Sequence, residues 1–265
     1  MNVAVSDLYA EVAGNGPAVA LIHAGICDSR MWDPQWETFP REHRVLRNDM
    51  RGFGRSPIGP GRFSSARDLI ELLDRHGFDR ASLVGVSMGG RVALEVTVAR
   101  PELVEALVLV GSGLPGDDVS DELKAAWAEE EAALGRGDLD AAVEVSLRTW
   151  VDGPRRNARD VDPAVRGRVA EMQRHAYELQ KPVQETAEEE LLVPDLAERL
   201  GEIKAATLVV VGAEDVPDIH LIADRLAREI PRARRATIPR AAHVPSLERP
   251  AEFDELVLGF LDAVH

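Results

Sequence analysis

Short, largely apolar runs punctuate the chain at residues 18–22, 81–86, 106–110 and 207–212, with glycine, proline or charged residues near their ends. A continuous apolar run of that length is how a strand buried on both faces of a parallel sheet reads. Residues 8–12 alternate weakly and predict an edge strand, and residues 44–47 and 235–238 predict two further short strands. Between these runs the spacing turns helical. Residues 64–76 carry Leu69, Leu72 and Leu73 on one face, with Gly77 to end the helix. A second helix runs from residue 88 to a stop at Pro101, and others cover 218–230 and 251–264. Asp28 and Ser29 can cap a short helix carrying Met31, Trp32 and Trp36. Strands and helices in alternation predict an α/β fold, a mostly parallel central sheet with helices on both faces.

The alternation lapses once. Residues 114–192 are acid-rich and helix-like, with helices expected at 125–134, 139–150 and 163–180. This block reads as an insertion between two strands, giving a core of 1–113 and 193–265 around a helical insertion of 114–192. An insertion leaving the C-terminal edge of the strands stands where α/β folds place their sites, so it can roof one. The runs Glu129-Glu130-Glu131 and Glu188-Glu189-Glu190 read as solvated helix faces rather than metal ligands.

Composition narrows the partners. The net charge is −15, from 46 acidic and 31 basic residues. A field of that sign repels nucleic acid and anionic membranes, so neither is an expected partner. Cys27 is the single cysteine, which rules out an internal disulfide and fits a reducing compartment. Residues 1–7 hold no basic stretch and no long apolar run, so neither a signal peptide nor a transmembrane helix is expected. The expectation is a cytoplasmic protein acting on a small molecule, with assembly into a homo-oligomer left open.

The candidate chemistry begins at Gly85-Val86-Ser87-Met88-Gly89, which ends one apolar run and opens a helix. G-x-S-x-G between strand and helix is the context of a nucleophile elbow. A serine on so tight a turn is held in strained backbone. Gly85 and Gly89 flank it because a Cβ there would press on the crossing strand and helix. The N–H of Met88, at the helix N-terminus, then faces developing negative charge. A serine hydroxyl also needs a base, and the base needs an orienting group. His243, in the loop before the last helix, is the candidate base. Asp215, after the strongest late strand, is the candidate orienting group. Glu214 is its first alternate, and Asp218 is assigned to capping the following helix.

The loop His23-Ala24-Gly25-Ile26 follows an early strand. It is the expected source of a second oxyanion donor, the N–H of Ile26 beside that of Met88. His23 itself reads as a brace for that loop, and Cys27 as a small buried residue. Asp49, Arg51 and Arg55 read as ion pairs bracing a later loop. Trp32, Trp127 and Trp150 read equally as buried core or as the lining of a substrate pocket, and Met172 and Tyr177 are weaker candidates for the same lining. No His/Cys/Asp spacing suggests zinc and no Gly-rich loop suggests a phosphate cradle, so neither metal nor cofactor is expected.

Together these motifs resemble the α/β-hydrolase superfamily over nearly the whole chain. The resemblance is carried by the elbow, the H-x-G-type loop at 23–25, the D-x-R-G-x-G-x-S loop at 49–56, the G-x-x-D at 212–215 and the late Ala242-His243. The chain order Ser87, Asp215, His243 is that of the superfamily. The resemblance implies the α/β-hydrolase fold, Ser87 as nucleophile, His243 as base, Asp215 as its partner, and residues 114–192 as a cap shaping the pocket. One departure is Ala24, where many relatives carry glycine after the histidine. The look is closest to small capped esterases, enol-lactonases and C–C bond hydrolases. A serine nucleophile argues against haloalkane dehalogenases and epoxide hydrolases, which use aspartate there. The expected activity is hydrolysis of a small, partly apolar carboxylic ester or lactone through an acyl-enzyme on Ser87. The alternatives are C–C bond hydrolysis of a dienol-ketone, cofactor-free perhydrolysis, and ligand binding without turnover.

Overall fold

The computed structural model describes residues 3–116 and 118–264. The chain opens with β1 (Ala10–Ala13), β2 (Ala18–Ile22), α1 (Asp33–Trp36) and β3 (Arg44–Asn48). It continues through β4 (Gly61–Phe63), α2 (Ser65–Arg75), β5 (Ala81–Val86), α3 (Met88–Ala99) and β6 (Val104–Val110). The acid-rich block follows as α4 (Asp121–Gly135), α5 (Leu139–Ser146), a π-helical turn (Leu147–Asp152), α6 (Pro163–Gln180) and β7 (Ala187–Glu189). The remainder is β8 (Ala206–Gly212), α7 (Pro217–Glu229), β9 (Ala233–Ile238), α8 (Pro245–Glu248) and α9 (Pro250–Asp262).

Seven strands form one sheet in the order β1-β3-β2-β5-β6-β8-β9. β1 pairs antiparallel with β3, and every other pairing in the sheet is parallel. Period-two alternation distributes each apolar run between two packed layers. Ala20, Ile22, Leu83, Leu109, Val209 and Val211 point into the layer that holds α2, α3 and α7. Val19, Leu21, Val84, Val86, Val108, Val110, Leu208 and Val210 point into the layer that holds α9. This is why the runs contain so little polar residue: neither face meets water. The second layer extends into the inserted block through Val143, Leu147, Val151, Val169 and Met172.

The helix ends follow local chemistry. Asp28 accepts the N–H of Arg30 at the start of the short helical turn Ser29–Trp32. Ser120 caps α4 by accepting the N–H of Leu123. Gly77 ends α2 at φ 66°.

Several elements depart from the sequence pattern. The helix expected over 139–150 is α-helical only to Ser146 and then widens into the π turn. Glu188 and Glu189 lie on a strand, β7, which pairs with β4, and they face Arg62 and Arg91. Periodicity could not show β4 or β7, because each is three residues long and polar. Glu130 is not simply solvated. It accepts the Tyr177 hydroxyl at 2.7 Å, and burial pushes its carboxyl above the ordinary range. Asp218 does not cap its own helix; its carboxylate accepts the N–H and hydroxyl of Ser120, tying α7 to the start of α4.

Candidate active site

Ser87 sits at the hinge between β5 and α3 with φ 56° and ψ −113°. An L-residue rarely holds that backbone, and here the surroundings over-determine it. The Ser87 N–H donates to the Val110 carbonyl at 2.8 Å, and its carbonyl accepts the N–H groups of Arg91 and Gly113. The flanking glycines are required by contact. A Cβ on Gly85 would lie 2.3 Å from the Gly89 carbonyl oxygen, and one on Gly89 would lie 2.4 Å from that of Ile22. The Ser87 side chain makes no capping bond to its own helix, and among the described residues its hydroxyl enters no hydrogen bond.

His243 and Asp215 come together. The His243 Nδ1 lies 2.9 Å from Asp215 Oδ2, and both side chains are enclosed. Asp215 also accepts the N–H of Val216. The structure separates the two neighbouring acids. The Glu214 carboxylate turns outward to Arg155 at 3.0 Å, whereas that of Asp215 turns inward to the imidazole. The two loops are tied to each other, because the Glu214 N–H donates to the Ala241 carbonyl at 2.8 Å. Gly111, at the end of β6, lies under the pair; a Cβ there would be 3.1 Å from His243 Nδ1 and 3.2 Å from Asp215 Oδ2. The same short segment, residues 110–113, therefore touches Ser87 through Val110 and Gly113 and the His–Asp pair through Gly111 between them.

Residues 24–27 form a turn closed by the Cys27 N–H on the Ala24 carbonyl at 3.0 Å. The N–H groups of Gly25 and Ile26 enter no hydrogen bond among the described residues. Gly25 packs on the side chain of Met88, its Cβ position 3.6 Å away. This loop thus faces the N-terminus of α3, where the Met88 N–H has no helical partner. His23 is fully buried. Its Nε2 accepts the Met50 N–H at 2.9 Å and its Nδ1 donates to the Ala24 carbonyl at 2.8 Å. Both ring nitrogens are thus used in bracing, and burial lowers its pKa below the ordinary histidine value. Asp49 accepts the N–H groups of Ser29 and Arg55, and Arg51 pairs with Asp68. Cys27 is enclosed, and burial pushes its thiol well above the ordinary value.

The aromatic candidates separate. Trp150 is half-buried with its ring 4.5 Å from that of His243. Trp32 has no exposed surface and packs on Phe253, so it lines no space open to a ligand. Met172 is enclosed in the same layer, and Trp127 is 44 % exposed on α4. Helical spacing could not tell these environments apart. A cavity of about 480 Å³ between α6 and the loops at 28–30 and 49–55 is lined by Arg30, Arg55, Glu171 and His175 and reaches neither Ser87 nor His243.

Sequence reasoning missed one group beside the site. Arg156 and Glu248 form a nearly buried pair under the His243 loop. The only signal was the Gly153-Pro154 break in a helical pattern, which marks where a helix stops but not where the chain then runs.

Sheet order, strained serine and buried His–Asp pair define an α/β-hydrolase architecture. A model of the alpha/beta hydrolase family matches residues 19–256, and the chain belongs to that family. It is 30% identical to a protein provisionally named carbamate hydrolase RutD of Azorhizobium caulinodans, over 96% of this chain and 95% of that one. It is 28% identical to a 2-hydroxy-6-oxo-6-phenylhexa-2,4-dienoate hydrolase of Burkholderia cepacia, over 94% of this chain and 89% of that one. Among solved structures it resembles a thermophilic esterase from Thermogutta terrifontis at 26% identity and a TM-score of 0.78, over 97% of this chain and 94% of that one. Among the described residues, no helix is long and apolar enough to cross a membrane.

Proposed function

We propose that the chain is a serine hydrolase acting on a small, partly apolar carboxylic ester or lactone. The observation that carries this reading is the enclosed His243–Asp215 pair at 2.9 Å, set on the same sheet edge as a strained serine with a free hydroxyl. Ser87 attacks the acyl carbon. His243 takes the hydroxyl proton and passes it to the leaving group. Asp215 fixes the imidazole tautomer and stabilises the imidazolium. The Met88 and Ile26 N–H groups hold the oxyanion, each donor contributing about 3 kcal/mol to the transition state. Water activated by His243 then frees Ser87. Residues 114–192 act as the cap over this site, with the π turn as its floor.

The dienoate hydrolase among the relatives favours a second reading, C–C bond hydrolysis with the same three residues. A dienoate carries a carboxylate that wants a cation. The two arginines beside the His243 loop are both engaged, Arg155 by Glu214 and the Ala213 carbonyl, Arg156 by Glu248 and backbone carbonyls. Met88 follows Ser87 in the chain and packs on Gly25, and the Trp150 ring lies against His243; such apolar neighbours suit an apolar acyl group. The ester or lactone reading is therefore preferred.

Labelling with a fluorophosphonate tests it. Label mapped to Ser87, and lost in Ser87→Ala and His243→Ala, is the expected result. A p-nitrophenyl ester series of rising acyl length, run beside a dienol-ketone, then decides between the two hydrolyses. A folded protein that takes no label would sink the reading and leave ligand binding without turnover in its place.

A further inference from the structure

His243 is held from outside the sheet. Its backbone N–H donates to the Trp150 carbonyl at 3.1 Å, and Trp150 belongs to the π turn that follows α5. A π turn shifts the hydrogen-bond ladder by one residue, so carbonyls at its end need other partners. Arg156 supplies them. Its Nη2 donates to the Val151 carbonyl at 2.7 Å and its Nε to the Asp152 carbonyl at 2.8 Å. The same guanidinium reaches across to the loop that carries His243. Its Nη1 donates to the Arg240 carbonyl at 3.2 Å and pairs with Glu248 Oε2 at 2.8 Å. The other oxygen of Glu248 accepts the N–H of Ala242 at 2.7 Å. The side chains of Arg156 and Glu248 are only 12 % and 5 % exposed.

The loop needs that hold. Arg240 has φ 59°, and it and Ser87 are the two non-glycine residues with positive φ among those described. Such a backbone persists only where its surroundings over-determine it. On the strand side, Gly212 gives close backbone contact, since a Cβ there would lie 2.0 Å from the Ala242 carbonyl oxygen. On the other side the contacts come from Trp150 and Arg156.

We propose that Arg156 is a positioning residue for His243: it clamps the π turn to residues 240–242 and so fixes the imidazole against Asp215. The proposal rests on the reading of His243 as the base. A planar fork of N–H donors suits this junction, since one side chain must meet three carbonyls and a carboxylate at fixed angles. A lysine ammonium has neither the reach nor the geometry.

The test uses Arg156→Met and the double variant Arg156→Met/Glu248→Gln. The double variant removes the buried charge that the single one leaves unpaired. Three readouts are taken: melting temperature, kcat and KM on the best p-nitrophenyl ester, and the downfield proton resonance of His243 Nδ1–H, assigned by its loss in His243→Ala. A folded double variant should lose about 10- to 100-fold in kcat, with KM within about threefold. The resonance should broaden or vanish well below the melting temperature. Arg156→Lys should recover only part of the rate. An unchanged resonance and kcat in the folded double variant would overturn the proposal. Loss of the fold in both variants would overturn it too, by making Arg156 a residue of stability. If the native protein takes no fluorophosphonate, the hydrolase reading fails, and the resonance alone still decides whether Arg156 holds His243 on Asp215.

Discussion

Asp215 Oδ2 lies 2.9 Å from His243 Nδ1, while the adjacent Glu214 carboxylate faces Arg155 on the outside. The two acids therefore have separable consequences. Asp215→Asn keeps the shape but no longer favours the Nδ1–H tautomer. Its kcat on a p-nitrophenyl ester should fall about 10⁴-fold, with KM little changed. Glu214→Gln removes an exposed ion pair, and the rate should stay within about threefold of the native protein because surface changes of this kind cost little. Equal losses in both variants would reject the assignment of Asp215.

The glycines of the site divide by what a methyl group would meet. In Gly89→Ala the new Cβ falls 2.4 Å from the Ile22 carbonyl oxygen and 2.6 Å from that of His23. Neither backbone can move without breaking β2 or the loop at 23–27, so stability should fall by more than about 3 kcal/mol. Gly77→Ala shares the positive φ of Gly111 but meets nothing within 4 Å, so it should cost only the backbone strain of about 1–2 kcal/mol. Gly111→Ala presses on both His243 and Asp215, and its rate should fall further than its stability. Urea melts of the three variants, with kcat for Gly111→Ala, check the order.

The contrast between the β5–α3 turn and the helical block explains what the sequence made legible. β5, Ser87 and α3 are contiguous, and the two flanking glycines mark in the sequence where backbone crosses closely, Gly85 against α3 and Gly89 against the end of β2. The partner loops were legible because each comes after a strong apolar run or a short strand at the same sheet edge. The placement of Trp150 was not legible. Its ring and carbonyl meet His243 from a π turn that begins after Ser146, and nothing in the residue pattern marks a π turn. Of the two readings open for Trp32, the structure takes the buried core: its side chain packs inward on Phe253. β4 and β7 meet across more than a hundred residues of chain, a pairing that local pattern cannot express.

His23 makes the loop at 23–27 sensitive to acid. Burial is the largest cause of its lowered pKa, and the neutral ring serves the Ala24 carbonyl and the Met50 N–H. Below the ordinary value of 6.5 the unfolded chain binds a proton that the native ring refuses. Stability from this group is therefore complete above that value and is lost as pH falls toward the native one. His23→Asn keeps a donor for Ala24 but cannot titrate. Its deficit against the native protein should shrink between about pH 7 and about pH 5 in chemical denaturation. A deficit that stays constant would mean that His23 is not held neutral.

Glu95 should show the opposite sign. It lies fully buried on α3, paired with Arg91 at 2.6 Å and accepting the N–H groups of Leu192 and Val193. It thus joins the elbow helix to the segment that returns from the helical block. Burial is the largest cause of its raised pKa and outweighs Arg91 and the two N–H groups. From the ordinary value of 4.5 upward, the native state keeps a proton that the unfolded chain has released. Stability from this group is present below that value and declines as pH rises through the raised native pKa. Glu95→Gln carries no ionisable proton, and its amide oxygen in the place of Oε2 keeps the acceptor for both N–H groups. The stability of the native protein relative to Glu95→Gln should therefore decline as pH rises from about 4 to about 7. Denaturation midpoints of both proteins across that range provide the check. A difference that grew with pH would show that Arg91 outweighs burial, and that the ionised pair itself fastens the elbow helix to the returning chain.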